Sequence, residues 1–287
     1  MTIDYDKLMG WKFADSVQSY TKRDTMLYAL GLGLGADQND EQQLQYVYED
    51  GLKALPTMAV VLGGSGNWLR DPASGVDYLK VVHGEQWLAL HQPLPPEGAV
   101  VGRSRVTAVI DKGAGKGALI YVERKLFEQA TGAPLATLTM STFARGNGGF
   151  GGPASGPTPP LHAVPEGAPQ RVCDLATLPR QALIYRLSGD YNPLHADPKV
   201  ARAAGFPMPI LHGLCSYGVA GHAIVKTCCG YDANRLVSLQ LRFSAPVFPG
   251  ETIRTEMWQE GRVISFRCRV LERDVVVLSN GRAEVAA

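Results

Sequence analysis

The stretch "GLCSYGVAGHAIVKT", Gly213 to Thr227, constrains the fold more than any other part of the chain. It is about four helical turns long and carries no charge until Lys226. A helix that is apolar nearly all round has no face to give to water and must be buried on most sides. One way to bury it is to wrap a curved antiparallel sheet around it. The neighbouring sequence supplies strands of that kind. In "RVISFRCRV", Ile264, Phe266, Cys268 and Val270 alternate with Ser265, Arg267 and Arg269, a period of two with one dry and one wet face. "GALIYVERKLFEQATG", "PLATLTMSTFA" and "VVVLSNGRAEVA" also read as extended. Short turns between them predict antiparallel pairing.

The chain echoes itself. "PLPPEG" begins at Pro93 and "PVFPGE" at Pro246, each following one strand-like run and preceding another. "YTKRDTMLYALG" from Tyr20 faintly matches "YRLSGDYNPLHA" from Tyr185. Tyr20 to Pro93 spans 73 positions and Tyr185 to Pro246 spans 61, so the first copy carries 12 more. Residues 145 to 169 are rich in Gly and Pro without an apolar period, which reads as a linker. The expected organisation is a first repeat over residues 1–144, the linker, and a second repeat over residues 170–287. At the place of the apolar helix the first copy has only "TMAVVL", followed at once by "GGSG", too short and Gly-rich for the same helix. The first copy is then expected to have lost its central helix, leaving a space its sheet would otherwise fill.

Composition removes several classes of function. The net charge is +1, with no run of like charges, so no nucleic acid or anionic membrane partner is expected. The longest apolar stretches are broken well short of ~18 residues. The segment "MTIDYDKLMGWKF" lacks the apolar core of a signal peptide. The five cysteines, Cys173, Cys215, Cys228, Cys229 and Cys268, form no Cys-x-x-Cys pair and read as small buried hydrophobes in a reducing cytosol.

"YRLSGDYNPLHADP", residues 185 to 198, crowds Asp190, Asn192 and His195 into six positions. "QALIYRLSG" predicts a short helix stopped by Gly189. Asp197 and Pro198 predict the cap and first residue of another, closed by Gly205. Residues 190 to 196 are then a loop pinned at both ends, with Pro193 holding Asn192 extended. Singly, each polar residue has an ordinary structural reading as a turn or satisfied core group; together on one rigid loop they point to chemistry. A divalent metal is not expected, because no second His, Cys or carboxylate cluster stands nearby. No Gly-x-Ser-x-Gly elbow occurs. "GLGLGA" from Gly31 follows a helical rather than a strand pattern, so it is no dinucleotide fingerprint. Downstream, "PMPILHGLCSYG" brings the chain to Gly213 at the start of the apolar helix, where a bare backbone amide can approach a ligand.

"GDYNPLHADP" followed by "GFPMPILHGLCSYG" resembles the signature of the MaoC-like, or type 2, enoyl-CoA hydratases. "VHGEQWLALHQPLP", "VIDKGAGKGALI" and "GNGGFGG" resemble the first half of the two-repeat members. The resemblance implies an α+β double hot dog: two repeats, each a curved antiparallel sheet about a helix, the first with a reduced helix. It implies an enzyme that reversibly hydrates trans-2-enoyl-CoA to (3R)-3-hydroxyacyl-CoA. Asp190 and His195 would be the catalytic pair, Asn192 would help hold them and the water, and the Gly213 amide would be the oxyanion donor. His83, Gly84, Lys112, Tyr191, Pro193, Leu194 and Phe243 fall where the family contacts the acyl-CoA. No metal or redox cofactor is implied, CoA being part of the substrate. The first repeat would be non-catalytic and would accommodate acyl chain and CoA. "RDTMLYA" keeps Asp24 but has Ala29 where the histidine would fall.

A thioesterase, a dehydratase for another acyl-CoA, or a non-catalytic acyl-CoA-binding protein are the competing readings. The end "GRAEVAA" lacks a peroxisomal address of the Ser-Lys-Leu type, which favours a cytoplasmic enzyme. A homodimer is a further expectation, since a double repeat mimics a dimer of single hot dogs and such units can pair again.

Overall fold

The computed structural model describes residues 2–37 and 39–286. Met1 and Ala287, the outer limits of the two expected repeats, lie outside the described residues, as does Gln38. The chain forms two compact units that interleave in sequence. One comprises residues 1–18, 62–91 and 99–161, and the other residues 19–61, 92–98 and 162–287. The break falls inside the Gly/Pro-rich stretch, which holds no helix or strand between Ala144 and Arg171.

In the first unit β1 (Ser16–Tyr20, whose last two residues belong to the other unit), β2 (Val81–Leu90), β3 (Gly98–Asp111), β4 (Ala118–Glu128) and β5 (Pro134–Ala144) lie in the order β1-β3-β4-β5-β2. β3 pairs antiparallel with β4, β4 with β5 and β5 with β2. The core beneath them includes Leu8, Leu69, Val76, Val109, Ile120 and Ala144. Leu8 comes from α1 (Tyr5–Met9), a single turn capped by Asp4, whose side chain accepts from Lys7 N. Asp111 closes β3. Its carboxylate accepts the amides of Gly113 (2.8 Å), Gly149 (2.7 Å) and Gly151 (2.8 Å). These bonds, the one from Gly149 foremost, hold the carboxyl below the usual range, and they fasten the start of the Gly-rich stretch to the sheet.

In the second unit β6 (Arg171–Ala176), β7 (Leu236–Phe243), β8 (Thr252–Glu260), β9 (Val263–Val270) and β10 (Val275–Val285) lie in the order β6-β8-β9-β10-β7. This is the order of the first unit with every strand advanced by five, and β6 with β8, β8 with β9, β9 with β10 and β10 with β7 again pair antiparallel. The two loops that drew attention in the sequence occupy equivalent places, "PLPPEG" between β2 and β3 and "PVFPGE" between β7 and β8. The repeat is therefore a repeat of topology.

The helices are α2 (Lys22–Leu30), α3 (Glu41–Val47), α4 (Gln181–Tyr185), α5 (Pro198–Ala203) and α6 (Gly213–Cys228). α6 is the apolar helix, and every residue from Cys215 to Val225 is buried. It packs on β6, β7, β8 and β10. The dry face of β9 is as its alternation requires: Ile264, Phe266, Cys268 and Val270 are all fully buried. Each such side chain contributes about 1.5–3 kcal/mol by leaving water. All five cysteines are free and buried. No helix among the described residues is long and apolar enough to cross a membrane.

The units differ from the sequential halves because the helical part of the first half clusters with the second half's helix. "PTMAVV", Pro56–Val61, forms only a 3-10 segment, and Pro56 to Val60 are buried. Thr57 presses on α6 at Gly221, where a β-carbon would stand 2.5 Å from the Thr57 methyl; only glycine permits that approach. The carbonyl of Gly31, at the end of α2, accepts Gln181 Nε2 (3.0 Å) and Cys215 Sγ (3.3 Å). α2 begins in a reciprocal cap between Thr21 and Asp24, so Asp24 serves the helix start. "GLGLGA" is a turn after α2 with no strand before it in βαβ fashion.

His222 is one of the buried groups that make this unit acid-sensitive. His222, midway along α6, is 2% exposed, and neither ring nitrogen has a hydrogen-bond partner among the described residues. Burial, helped by the Lys226 charge, pushes its pKa from 6.5 to about 4. The unfolded chain therefore takes up this proton first. The associated stability is complete above about pH 6.5 and is lost as pH falls towards 4, by up to about 3 kcal/mol. His222→Leu is expected to flatten the fall of melting temperature over that interval. An unchanged slope would remove His222 from the account.

Candidate active site

The crowded loop sits between α4 and α5. α4 runs into a 3-10 turn, Arg186–Ser188, which Gly189 ends at φ 119°. Asp197 caps α5 through Lys199 N, and Pro198 is its first residue. Between them the loop makes its own bonds. Asp190 Oδ1 accepts Asn192 N (3.1 Å), and Asn192 Oδ1 accepts Leu194 N (3.1 Å). Asn192, at φ −56° and ψ 122°, opens a single 3-10 turn over Pro193–His195. The Asn192 side chain thus shapes the turn that presents His195.

His195 is buried while Asp190 is half-buried, so the pair has one dry and one wet partner. His195 Nδ1 lies 2.9 Å from the Ile210 carbonyl. A carbonyl can only accept, so Nδ1 carries the proton and Nε2 keeps its lone pair. The Ile210 carbonyl is held in place because the next residue, Leu211, donates its amide to Val247 O (2.7 Å) in "PVFPGE". Burial is the largest influence on the His195 ring and pulls its pKa below 6.5. The imidazole is neutral at pH 7 and able to accept a proton.

Gly213 is the first residue of α6, and the first-turn bonds run from Cys215 N and Ser216 N to His212 O. No side chain caps this end. A Cβ at Gly213 would stand 3.3 Å from the Phe243 ring, which closes one side of the helix start. The amide end of α6 carries the partial positive charge of the helix.

Sequence reasoning passed over His212, directly before Gly213. Its Nε2 lies 3.1 Å from the Asp190 backbone carbonyl, and its ring stacks on His195 with centroids 3.7 Å apart and planes at 27°. Burial, then the neighbouring His195, pushes its pKa to about 4. Ligand-type atoms of Asp190, His195 and His212 all lie within 4.8 Å of one another, so the fold brings a second histidine to the pair that the sequence reading did not place there. The stack disfavours one shared ion, because nearly parallel rings send their lone pairs side by side rather than to one point. The same spacing suits a water bridging two groups, each at about 2.8 Å.

The remaining residues divide between the units. Tyr191, Pro193, Leu194 and Phe243 share the second unit with Asp190 and His195, and the exposed Tyr191 ring lies under the Arg186 guanidinium at 5.1 Å. His83, Gly84 and Lys112 belong to the first unit. His83 Nε2 meets Glu85 O (3.1 Å) at a bulge in β2. Gly84 lies in that bulge, where a Cβ would stand 2.7 Å from Ser141 Oγ. Lys112 is exposed and opens the β3–β4 turn by donating its amide to Gly117 O (3.0 Å).

Repeated five-stranded antiparallel sheets, one of them backed by a buried helix that starts beside a His/Asp loop, define a double hot dog with a single hydratase-type loop. A Mycobacterium tuberculosis protein described as a double hotdog fold superposes with a TM-score of 0.57 at 15% identity, a likeness of fold alone. The chain belongs to the MaoC-like hydratase 2 family. The MaoC-like domain matches residues 161–280, and the MFE-2 hydratase 2 N-terminal domain matches residues 18–146. The chain is 38% identical to the peroxisomal enoyl-CoA hydratase 2 of Arabidopsis thaliana, covering 96% of this chain and 93% of that one. It is 36% identical to the mouse peroxisomal multifunctional enzyme type 2, over 96% of this chain and 38% of that enzyme. The crystal structure of a MaoC-like dehydratase from Phytophthora capsici superposes with a TM-score of 0.85 at 37% identity, covering 98% of both chains.

These relatives overturn the expectation of a cytoplasmic enzyme, since the Arabidopsis and mouse proteins are named peroxisomal. The expectation rested on a missing terminal tripeptide. Such an address is read by a receptor and is not a property of the fold.

Proposed function

We propose that this protein catalyses the reversible addition of water to a trans-2-enoyl-CoA, giving the (3R)-3-hydroxyacyl-CoA. The observation that carries the reading is the spacing of the Asp190, His195 and His212 donor atoms, within 4.8 Å of one another, at the uncapped start of α6. The relatives named for enoyl-CoA hydration support the substrate class.

The thioester carbonyl oxygen would accept the Gly213 amide, which draws electron density from the conjugated double bond. A water held between Asp190 and His195 attacks C3 and gives its proton to His195 Nε2. The electrons of the C2–C3 double bond move onto the thioester oxygen. On their return, C2 takes a proton from the same pair, so one water is added and the enzyme is restored. Asp190 is the acceptor for the water's second hydrogen. The reading calls for no metal or redox group. We assign catalysis to the repeat at residues 170–287 and acyl-CoA accommodation to residues 1–144, with the exposed Lys112 meeting a CoA phosphate. Tails longer than four carbons are expected to be accepted, and activity confined to four-carbon substrates would refute that part.

The test mixes the protein with a trans-2-enoyl-CoA and follows loss of conjugated-thioester absorbance beside a thiol reagent. Absorbance should fall without free thiol, before and after treatment with a chelator. Free CoA thiol would instead identify a thioesterase, and binding without turnover an acyl-CoA-binding protein. Because burial holds the His195 pKa below 6.5, kcat/KM is expected to persist as pH falls through 6.5 and to decline only lower, when the ring takes up its proton.

A further inference from the structure

We propose that His212 is the positioning residue of this site, locking the catalytic loop to the start of α6 so that Asp190, His195 and the Gly213 amide keep one register. The inference rests on the hydratase reading above. His212 is 1% exposed and touches each part of the machinery. Its Nε2–H donates to the Asp190 carbonyl at 3.1 Å. Its ring lies against His195, centroids 3.7 Å apart. Its own backbone leads directly into Gly213. Tyr185 of α4 also stands beside it, ring centroids 5.1 Å apart, and Tyr28 of α2 lies 5.9 Å from Tyr185. The imidazole thus lies against both the catalytic histidine and a buried aromatic pair.

The position itself argues for this role. His212 is the N-cap residue of α6, where Ser, Thr, Asp or Asn would normally satisfy a free amide. Its side chain makes no capping bond, and its Nδ1 is buried without a hydrogen-bond partner among the described residues. A side chain chosen for helix stability would cap. This one reaches away from the helix to the loop, and the first amides of α6 stay open where the oxyanion donor is needed. Misplacing a reacting group by about 1 Å can cost about 10²-fold in rate.

The experiment compares the full-length wild type with His212→Phe, which keeps the flat ring and its stacking but not the donor, and His212→Gln, which restores an N–H. Rates on trans-2-enoyl-CoA are scaled to folded protein, and melting temperatures are measured alongside. His212→Phe should lower kcat about 10- to 100-fold, with KM within about threefold of wild type. His212→Gln should recover at least half of that loss on a logarithmic scale. A purely structural residue would lower the melting temperature or the folded yield and leave kcat per folded molecule intact in His212→Phe; that result overturns the proposal. Should His212→Phe fail to fold, the Gln variant decides: kcat below a tenth of wild type despite a wild-type melting temperature also counts against a donor role. A wild type that does not hydrate the substrate at all refutes the hydratase reading. An active wild type with an unaffected His212→Phe refutes only this inference.

Discussion

Asp190→Asn and His195→Gln are each expected to lower kcat by about 10² to 10⁴-fold while the melting temperature stays near that of the wild type. The expectation of an intact fold comes from the bonds each side chain makes. Asp190 Oδ1 accepts the Asn192 amide, and an asparagine carbonyl can accept the same bond. His195 donates from Nδ1 to the Ile210 carbonyl, and a glutamine amide carries a donor of comparable reach. What is lost is chemical: asparagine offers no carboxylate to the water, and glutamine no basic lone pair. If the two groups act on one water, as proposed, the double variant should be little worse than the poorer single one. Steady-state rates on a trans-2-enoyl-CoA check both points. Near-wild-type turnover in either single variant would remove that residue from the catalytic pair, and strictly multiplicative losses would mean that the two act separately.

Gly213→Pro is expected to lower kcat by about 10² to 10³-fold, whereas Gly213→Ala retains most of it. The comparison isolates a backbone atom. Proline deletes the N–H proposed to hold the thioester oxygen, and its ring suits the first position of a helix. The residue before it must be extended, and His212 already is, at φ −57° and ψ 135°. α6 should therefore form in both variants. Alanine places the same β-carbon 3.3 Å from the Phe243 ring, so it controls for that contact and keeps the donor. Equal losses in the two variants would assign the effect to crowding against Phe243 and deny the amide its role. The far-ultraviolet dichroism of each variant should match the wild type.

The parts of the fold legible in the sequence are those fixed by short-range rules. The period of two in β9 placed Ile264, Phe266, Cys268 and Val270 on the buried face, where they are. Gly189, Asp197 and Pro198 marked the ends of the loop that holds Asp190 and His195, because stops and caps depend on a few adjacent dihedrals. The echo of "PLPPEG" in "PVFPGE" foretold a five-strand order that occurs twice. The partition of the chain was less legible. Residues 19–61 cluster with the second repeat because the apolar turn at Pro56–Val61 finds its burial on α6, through the gap left by Gly221. That is a long-range contact which no local pattern announces.

The site divides in the same way. Asp190 and His195 stood out by crowding on one loop. His212 did not, because it lies 17 positions beyond His195 and only the fold stacks the two rings. A signal was nonetheless present: a histidine occupies the capping position ahead of Gly213, where a small polar residue is the ordinary choice. The carbonyl oxygen of Asn192 is engaged in the turn at Leu194, a local bond that its place before Pro193 made legible.

The most direct test of the central claim is chiral analysis of the product formed from a trans-2-enoyl-CoA by the wild type and by Asp190→Asn at matched protein concentration. The account predicts the (3R)-3-hydroxyacyl-CoA from the wild type and almost none from the variant. An S product, or R product formed equally well without the Asp190 carboxylate, would contradict it.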